Sequence, residues 1–291
     1  LQKIKCVVLD EADEMLKMGF IETVEMIIKM TPSTRQMMLF SATMPNRIKE
    51  LAQNYLTQPI EIKIESEHVT TELVEHELYP VRMQEKVRLL QDLLTVQNPE
   101  RCIIFCSTRE AVDALYQGLK AKGYPVNRLH GGLEQKDRLD IMRQFKMGRF
   151  AYLVATDVAA RGIDVSGMTH VFNFDLPEEK DAFVHRIGRA GRAGEKGKAI
   201  TFVTPFETKW LEEIQNYIGF ELPVAERPVA TEVEKSRAAF EAKLKAKPKM
   251  RMEKRADVNR EIMKIYLNGG KKKKLRAIDF VGTILSIEGI E

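Results

Sequence analysis

The chain has 291 residues, 44% of them hydrophobic and 30% charged, which is enough to bury a real core and fills about two domains. No apolar run approaches the ~18 residues that cross a bilayer, and the opening LQKIKCVVLDE carries no signal-peptide pattern. A soluble, cytoplasmic protein with no membrane partner is therefore expected.

Cys6, Cys102 and Cys106 lie in apolar runs, which predicts buried thiols in a reducing compartment and no disulfide. No second Cys or His pair at ligand spacing accompanies Cys102 and Cys106, so a shared metal there is not expected. The net charge of +4 hides an asymmetry. Residues 235 to 276 hold 16 Lys or Arg against 4 Asp or Glu, so the remainder of the chain carries about −8. The basic character is a tail, and such a segment suits either solvent or a nucleic acid.

Short β-rich runs alternate with helix-period segments along the chain. The runs are CVVLD (6 to 10), MMLFSAT (37 to 43), CIIFCST (102 to 108), YLVATD (152 to 157), HVFNFD (170 to 175) and AITFV (199 to 203). Between them Val87, Leu90 and Leu94, then Val112, Leu115 and Leu119, then Leu139, Met142 and Phe145 recur at three-to-four-residue steps. The alternation predicts an α/β fold with parallel sheets covered by helices.

Such sheets bind ligands outside the carboxyl ends of their strands. Those ends read Asp10-Glu11, Ser41-Ala42-Thr43, Ser107-Thr108-Arg109 and Thr156-Asp157. Apolar periodicity lapses over residues 65 to 72, which predicts a boundary, and again after Leu222, where a basic and partly helical segment begins.

HRIGRAGRAG, residues 185 to 194, sets Arg186, Arg189 and Arg192 three apart among glycines. Guanidiniums are fixed forks of donors suited to phosphate oxygens, and glycines let backbone approach a ligand closely. Asp10-Glu11-Ala12-Asp13, directly behind an apolar strand, offers a carboxylate for Mg²⁺ at Asp10 and one to polarise an attacking water at Glu11.

Asp10-Glu11-Ala12-Asp13, Ser41-Ala42-Thr43, Ala160-Arg161-Gly162-Ile163-Asp164 and His185-Arg186-Ile187-Gly188-Arg189-Ala190-Gly191-Arg192 follow one another in an order that resembles the later motifs of the DEAD-box ATP-dependent RNA helicases. The resemblance runs from Leu1 to about residue 222. It implies two RecA-like domains that use ATP and Mg²⁺ and act on RNA. Residues 1 to 65 would be the C-terminal part of the first, 66 to 72 a linker and 73 to 222 the second.

Residue by residue, the resemblance implies that Glu11, Arg189 and Arg192 are catalytic. Asp10 would hold the magnesium, through water, and Gly162, Asp164, Arg189 and Arg192 would contact the nucleotide. Asp13, Ser41, Thr43 and His185 would couple hydrolysis to domain closure. RNA would be gripped by Thr108, Arg109, Gly132, Arg138 and Thr156 through sugar and phosphate, with little sequence preference. The Asp-Glu-Ala-Asp and Ser-Ala-Thr forms point to RNA and away from DNA.

Two departures matter. No G-x-x-x-x-G-K-S/T pattern occurs in these residues. The chain as given is thus expected to be catalytically incomplete, to come from a longer helicase, and to serve alternatively as a noncatalytic RNA-binding fragment. The closing LRAIDFVGTILSIEGIE is similar to the start of the RNA-recognition domain of the DbpA-like branch, a branch associated with ribosomal RNA and ribosome assembly. Residues 223 to 270 would then be a basic linker and 271 to 291 the opening of that domain, cut short.

Overall fold

A computed structural model of the chain describes residues 1–63, 73–160, 167–191 and 196–246. The chain divides into two compact units, Leu1–Ser66 and Glu67–Glu291.

In the first unit β1 (Cys6–Leu9), α1 (Ala12–Lys17), α2 (Ile21–Lys29), β2 (Gln36–Leu39) and α3 (Asn46–Tyr55) follow in order. The two strands pair in parallel, Cys6 with Gln36 through Leu9 with Leu39. Leu9, Ala12, Ile21, Ile28, Ile48 and Leu51 form the small core beneath them. That register sets the ends of β1 and β2 side by side, and Phe40 N–H closes the pair on the Leu9 carbonyl at 2.7 Å.

The second unit runs β3 (Val74–Pro80), α4 (Lys86–Gln97), β4 (Cys102–Phe105), α5 (Arg109–Ala121), β5 (Val126–Leu129), α6 (Gln135–Lys146), β6 (Tyr152–Ala155), α7 (Asp157–Ala160), β7 (His170–Asn173), α8 (Lys180–Ile187), β8 (Gly197–Val203), α9 (Thr208–Ile218) and α10 (Ala230–Lys245). Its six strands form one sheet in the order β3-β8-β7-β4-β6-β5, every pair parallel. The pleat sends alternate side chains of each strand to opposite faces. Ile103 and Phe105 enter a core with Phe145, Phe183 and Ile214. Cys102, Ile104 and Cys106 enter the other with Leu90, Leu93 and Phe240. Helices on both faces satisfy the burial that a parallel sheet demands.

Several expectations need correction. Cys6 is exposed, whereas Cys102 and Cys106 are buried and their thiols are pushed well up by desolvation. Val87 and Leu139 are exposed at 42% and 63%, so α4 turns Leu89, Leu90, Leu93 and Leu94 inward and α6 turns Phe145.

Packing continues past Leu222. Val224 bridges to Leu78 on the edge of the sheet, and α10 lies on α4. Val233 and Phe240, seven residues apart on one face of α10, are buried, and Lys243 Nζ reaches the Asn98 carbonyl at 3.1 Å and the Pro99 carbonyl. Truncating a buried Phe of this kind costs about 3–5 kcal/mol. Residues 223 to 245 are therefore part of the second unit and not a free linker. The expected further domain, 271 to 291, lies outside the described residues.

Candidate functional site

The first unit brings three of the expected coupling residues together. Asp13 is in the first turn of α1, and Ser41 and Thr43 follow β2 directly. Asp13 Oδ2 accepts from the Thr43 amide at 2.9 Å and from the Thr43 hydroxyl at 2.8 Å. The Ser41 hydroxyl donates to the Thr43 carbonyl at 2.7 Å and accepts from the Asp13 amide at 3.1 Å. Burial pushes the Asp13 carboxyl up, but the bonds from Thr43 and Ser41 outweigh it and hold the pKa below the ordinary value. Asp13 is thus a buried anion fixed by neutral donors.

Asp10 stands exposed at the end of β1, and its Oδ1 accepts from Glu11 N–H at 3.0 Å. Glu11 has φ 53° and ψ 47°, a left-handed conformation that costs a non-glycine residue roughly 1–2 kcal/mol. The twist turns the chain from β1 into α1 between two carboxylates. Strain held in such a place is a feature of working sites.

In the second unit the expected RNA residues gather at the carboxyl ends of three neighbouring strands. Thr108 and Arg109 follow β4, Gly132 follows β5, and Thr156 follows β6. Thr108 caps α5, its hydroxyl accepting from Ala111 N–H at 3.1 Å. Arg109 lies over the glycine turn so closely that a Cβ at Gly131 would sit 3.3 Å from its Nη2. His130 braces that turn: its Nδ1 accepts from Gly132 N–H at 3.1 Å and its Nε2 contacts Asp113 at 3.1 Å. The Gly132 donor fixes the neutral tautomer with the proton on Nε2. Thr156 N–H bonds the Leu129 carbonyl at 3.2 Å, locking β6 to β5 at the same level. Arg138 is half-buried in the first turn of α6, where its Nη1 donates to Gln135 Oε1 at 3.0 Å.

The arginine segment behaves differently from its sequence reading. Arg186 does not face outward. It is 2% exposed, and its Nε and Nη2 grip Asp157 at 2.6 and 2.7 Å while its Nη1 donates to the Asp175 carbonyl at 2.6 Å. The Phe105 ring lies 5.1 Å beneath its guanidinium carbon. Its charge is neutralised internally by Asp157, so this guanidinium is not offered to a phosphate.

Arg189 is buried too, with Nε donating to the His185 carbonyl at 3.1 Å. Together with Asp157, His185 and Arg186 it lines a cavity of about 20 Å³. Gly188 ends α8, and Gly191 has φ 68°. A Cβ at Gly197 would meet Gly191 N at 2.5 Å, so it is Gly197 that lets the segment pack closely against β8. Gly162, Asp164 and Arg192 lie outside the described residues.

Two parts of this arrangement escaped the sequence reading. Buried Lys86 pairs with half-buried Asp175, and His130 braces the glycine turn. Nothing in the apolar pattern distinguishes a buried Lys from an exposed one.

Residues 1–51 match the DEAD/DEAH box helicase family and residues 85–194 match the helicase conserved C-terminal domain. The ATP-dependent RNA helicase DbpA of Bacillus subtilis is 51% identical over 290 residues, which is 100% of this chain and 60% of that protein. The chain belongs to the DEAD-box helicase family. Among solved structures, Saccharomyces cerevisiae Dbp5 bound to RNA and ADP BeF3 superposes with a TM-score of 0.72 at 31% identity, covering 84% of this chain and 64% of that one. The Escherichia coli DEAD-box protein SrmB, bound to regulator of ribonuclease activity A, gives 0.50 at 35% identity and covers 61% and 96%. The chain thus spans less than two thirds of the B. subtilis DEAD-box relative and of Dbp5, and the RecA-like architecture of the family is the one its sheet adopts. No helix among the described residues is long and apolar enough to cross a membrane.

Proposed function

We propose that these residues are the hydrolytic and RNA-gripping parts of an ATP-dependent RNA helicase, which separates short duplexes locally by gripping one strand. Glu11 orients and deprotonates the attacking water, and Arg189, with Arg192, meets charge that builds on the transferred phosphoryl group. Asp13, Ser41 and Thr43 hold the turn that carries Glu11. Thr108, Arg109, Gly132, Arg138 and Thr156 take the sugar-phosphate backbone of RNA.

Asp10 suits a magnesium that arrives with the nucleotide. Its carboxylate is exposed, and the described residues contain no group of three or more ligands that would cage the ion alone. Bound there, the ion would neutralise phosphate charge. Gly162 and Asp164 complete the nucleotide contacts in this reading.

What supports the reading is the Asp13–Ser41–Thr43 network directly behind a strained Glu11. Ribosomal RNA is the proposed target, on the similarity of residues 275 to 291 to the DbpA-like branch, and the cytoplasm the proposed compartment. A second reading has its own observation: with no G-x-x-x-x-G-K-S/T among the 291 residues, this polypeptide binds RNA without turning over ATP.

Phosphate release with and without oligouridylate separates them. RNA-stimulated turnover that disappears in Glu11→Gln supports hydrolysis. RNA binding without turnover supports the second reading, and no binding even at low salt sinks both. Because α10 is packed on the second unit, the basic tail is tested by removing residues 247 to 276. That removal is expected to flatten the fall of affinity with salt.

A further inference from the structure

Lys86 is the least expected charge in the molecule. It begins α4, is completely buried, and belongs to none of the motifs on which the functional reading rests. Its Nζ lies 2.9 Å from Asp175 Oδ1 and 3.8 Å from Glu207 Oε1, with the Phe174 ring 5.5 Å away. A pair with its lysine completely buried is weak evidence for stability, because the cost of desolvating the ammonium offsets the attraction. What the pair does for its surroundings is more informative.

Asp175 serves three groups at once. Oδ1 takes Lys86, Oδ2 accepts from the Ser107 amide at 3.0 Å, and the main-chain carbonyl accepts from Arg186 Nη1 at 2.6 Å. Ser107 opens the loop that carries Thr108 and Arg109. Arg186 sits on α8, one turn before Arg189, and clamps Asp157, the residue after Thr156. Glu207 is itself fixed, its Oε2 accepting from Thr204 N–H at the end of β8 at 2.6 Å. One ammonium therefore orients the carboxylate to which the RNA loop and, through the adjoining backbone, the arginine helix are both tied.

We infer that Lys86 is a positioning residue: through Asp175 it holds the Ser107–Thr108 turn and the start of α5 at Arg109 in their RNA-gripping shape and ties that turn to α8, the helix that leads into Arg189. This rests on the RNA reading for Thr108 and Arg109, and the experiment keeps the two apart.

The 291-residue chain is prepared as wild type, Lys86→Met, Arg109→Ala and the double variant. Hydrogen exchange at the Ser107 amide, followed by NMR, needs no RNA. Lys86→Met is expected to speed it about tenfold relative to the amides of β4. Binding of a fluorescein-labelled oligouridylate is expected to weaken about tenfold in each single variant and little further in the double, since both changes act on one contact. Unchanged Ser107 exchange overturns the inference, and so do losses that multiply in the double variant. A wild-type chain that does not bind the oligouridylate overturns the RNA reading instead, and Ser107 exchange still decides whether Lys86 anchors the loop. Should Lys86→Met fail to fold, Asp175→Asn, which keeps an acceptor and removes the charge, yields the same two readouts with the same expectations.

Discussion

The first unit buries an acid and the second buries a base, and they satisfy the two charges by different means. The Asp13 carboxylate is held by the amide and the hydroxyl of Thr43, both neutral. Arg186 is held by a carboxylate in a bidentate grip, with a carbonyl and a ring beside it. Neutral donors can be removed one at a time, each leaving the ion partly satisfied. A counter-ion cannot, because its loss leaves a whole charge in a place without water.

The largest effect is therefore expected at Asp157. Asp157→Ala strands the Arg186 guanidinium and should lower the stability of the second unit by about 3–5 kcal/mol in urea unfolding. Adding Arg186→Met should restore part of that, because the buried charge goes with its partner. A double variant as unstable as the single one would mean that Arg186 matters through packing, and the contrast between the units would lose its electrostatic basis.

A smaller loss is expected at Thr43. Thr43→Val keeps the shape and the amide bond but removes the hydroxyl that donates to Asp13, for about 1–2 kcal/mol from the first unit. The pH dependence has a definite sign. Hydrogen bonding holds the Asp13 pKa below the ordinary 3.8 in the folded chain, so its contribution is fully present above that value and is lost as pH falls below it. Wild type should thus lose stability more steeply than Thr43→Val between pH 4 and lower pH, about the ordinary aspartate range. Parallel curves would mean that the Thr43 hydroxyl does not set the Asp13 pKa.

How much of this was readable beforehand follows from where charge sits. In the second unit the four central strands announced themselves as oily runs. The two unannounced strands, VEHELYP and VNRL, are the edges of the sheet, where Glu75, Glu77 and Arg128 interrupt the pattern. Edge strands carry such residues because one side of their backbone has no neighbouring strand, only a single bridge to Val224 in the case of β3, and charge there discourages further pairing. The residue types at the strand ends were legible because a strand must end where polar groups are served. The inward turn of Arg186 was not, since a sequence spacing of three says nothing of which arginine finds a carboxylate. Lys86 was hidden for the same reason: its partner Asp175 is 89 residues away.

The smallest effect, and the only one of opposite sign, is expected at Glu11. Its left-handed backbone costs a side-chain-bearing residue roughly 1–2 kcal/mol, whereas glycine adopts that conformation freely but gives up about 0.5–1 kcal/mol in chain entropy. Glu11→Gly should therefore leave the first unit as stable as wild type or more stable by up to about 1.5 kcal/mol. Glu11→Ala keeps the strain and should be near neutral. Comparing the two separates backbone from carboxylate, as neither can alone. If both variants destabilised the unit, the Glu11 side chain would be part of the same structural network as Asp13. If only the proposed hydrolysis were lost, the strain belongs to a residue held in place for chemistry and not for folding.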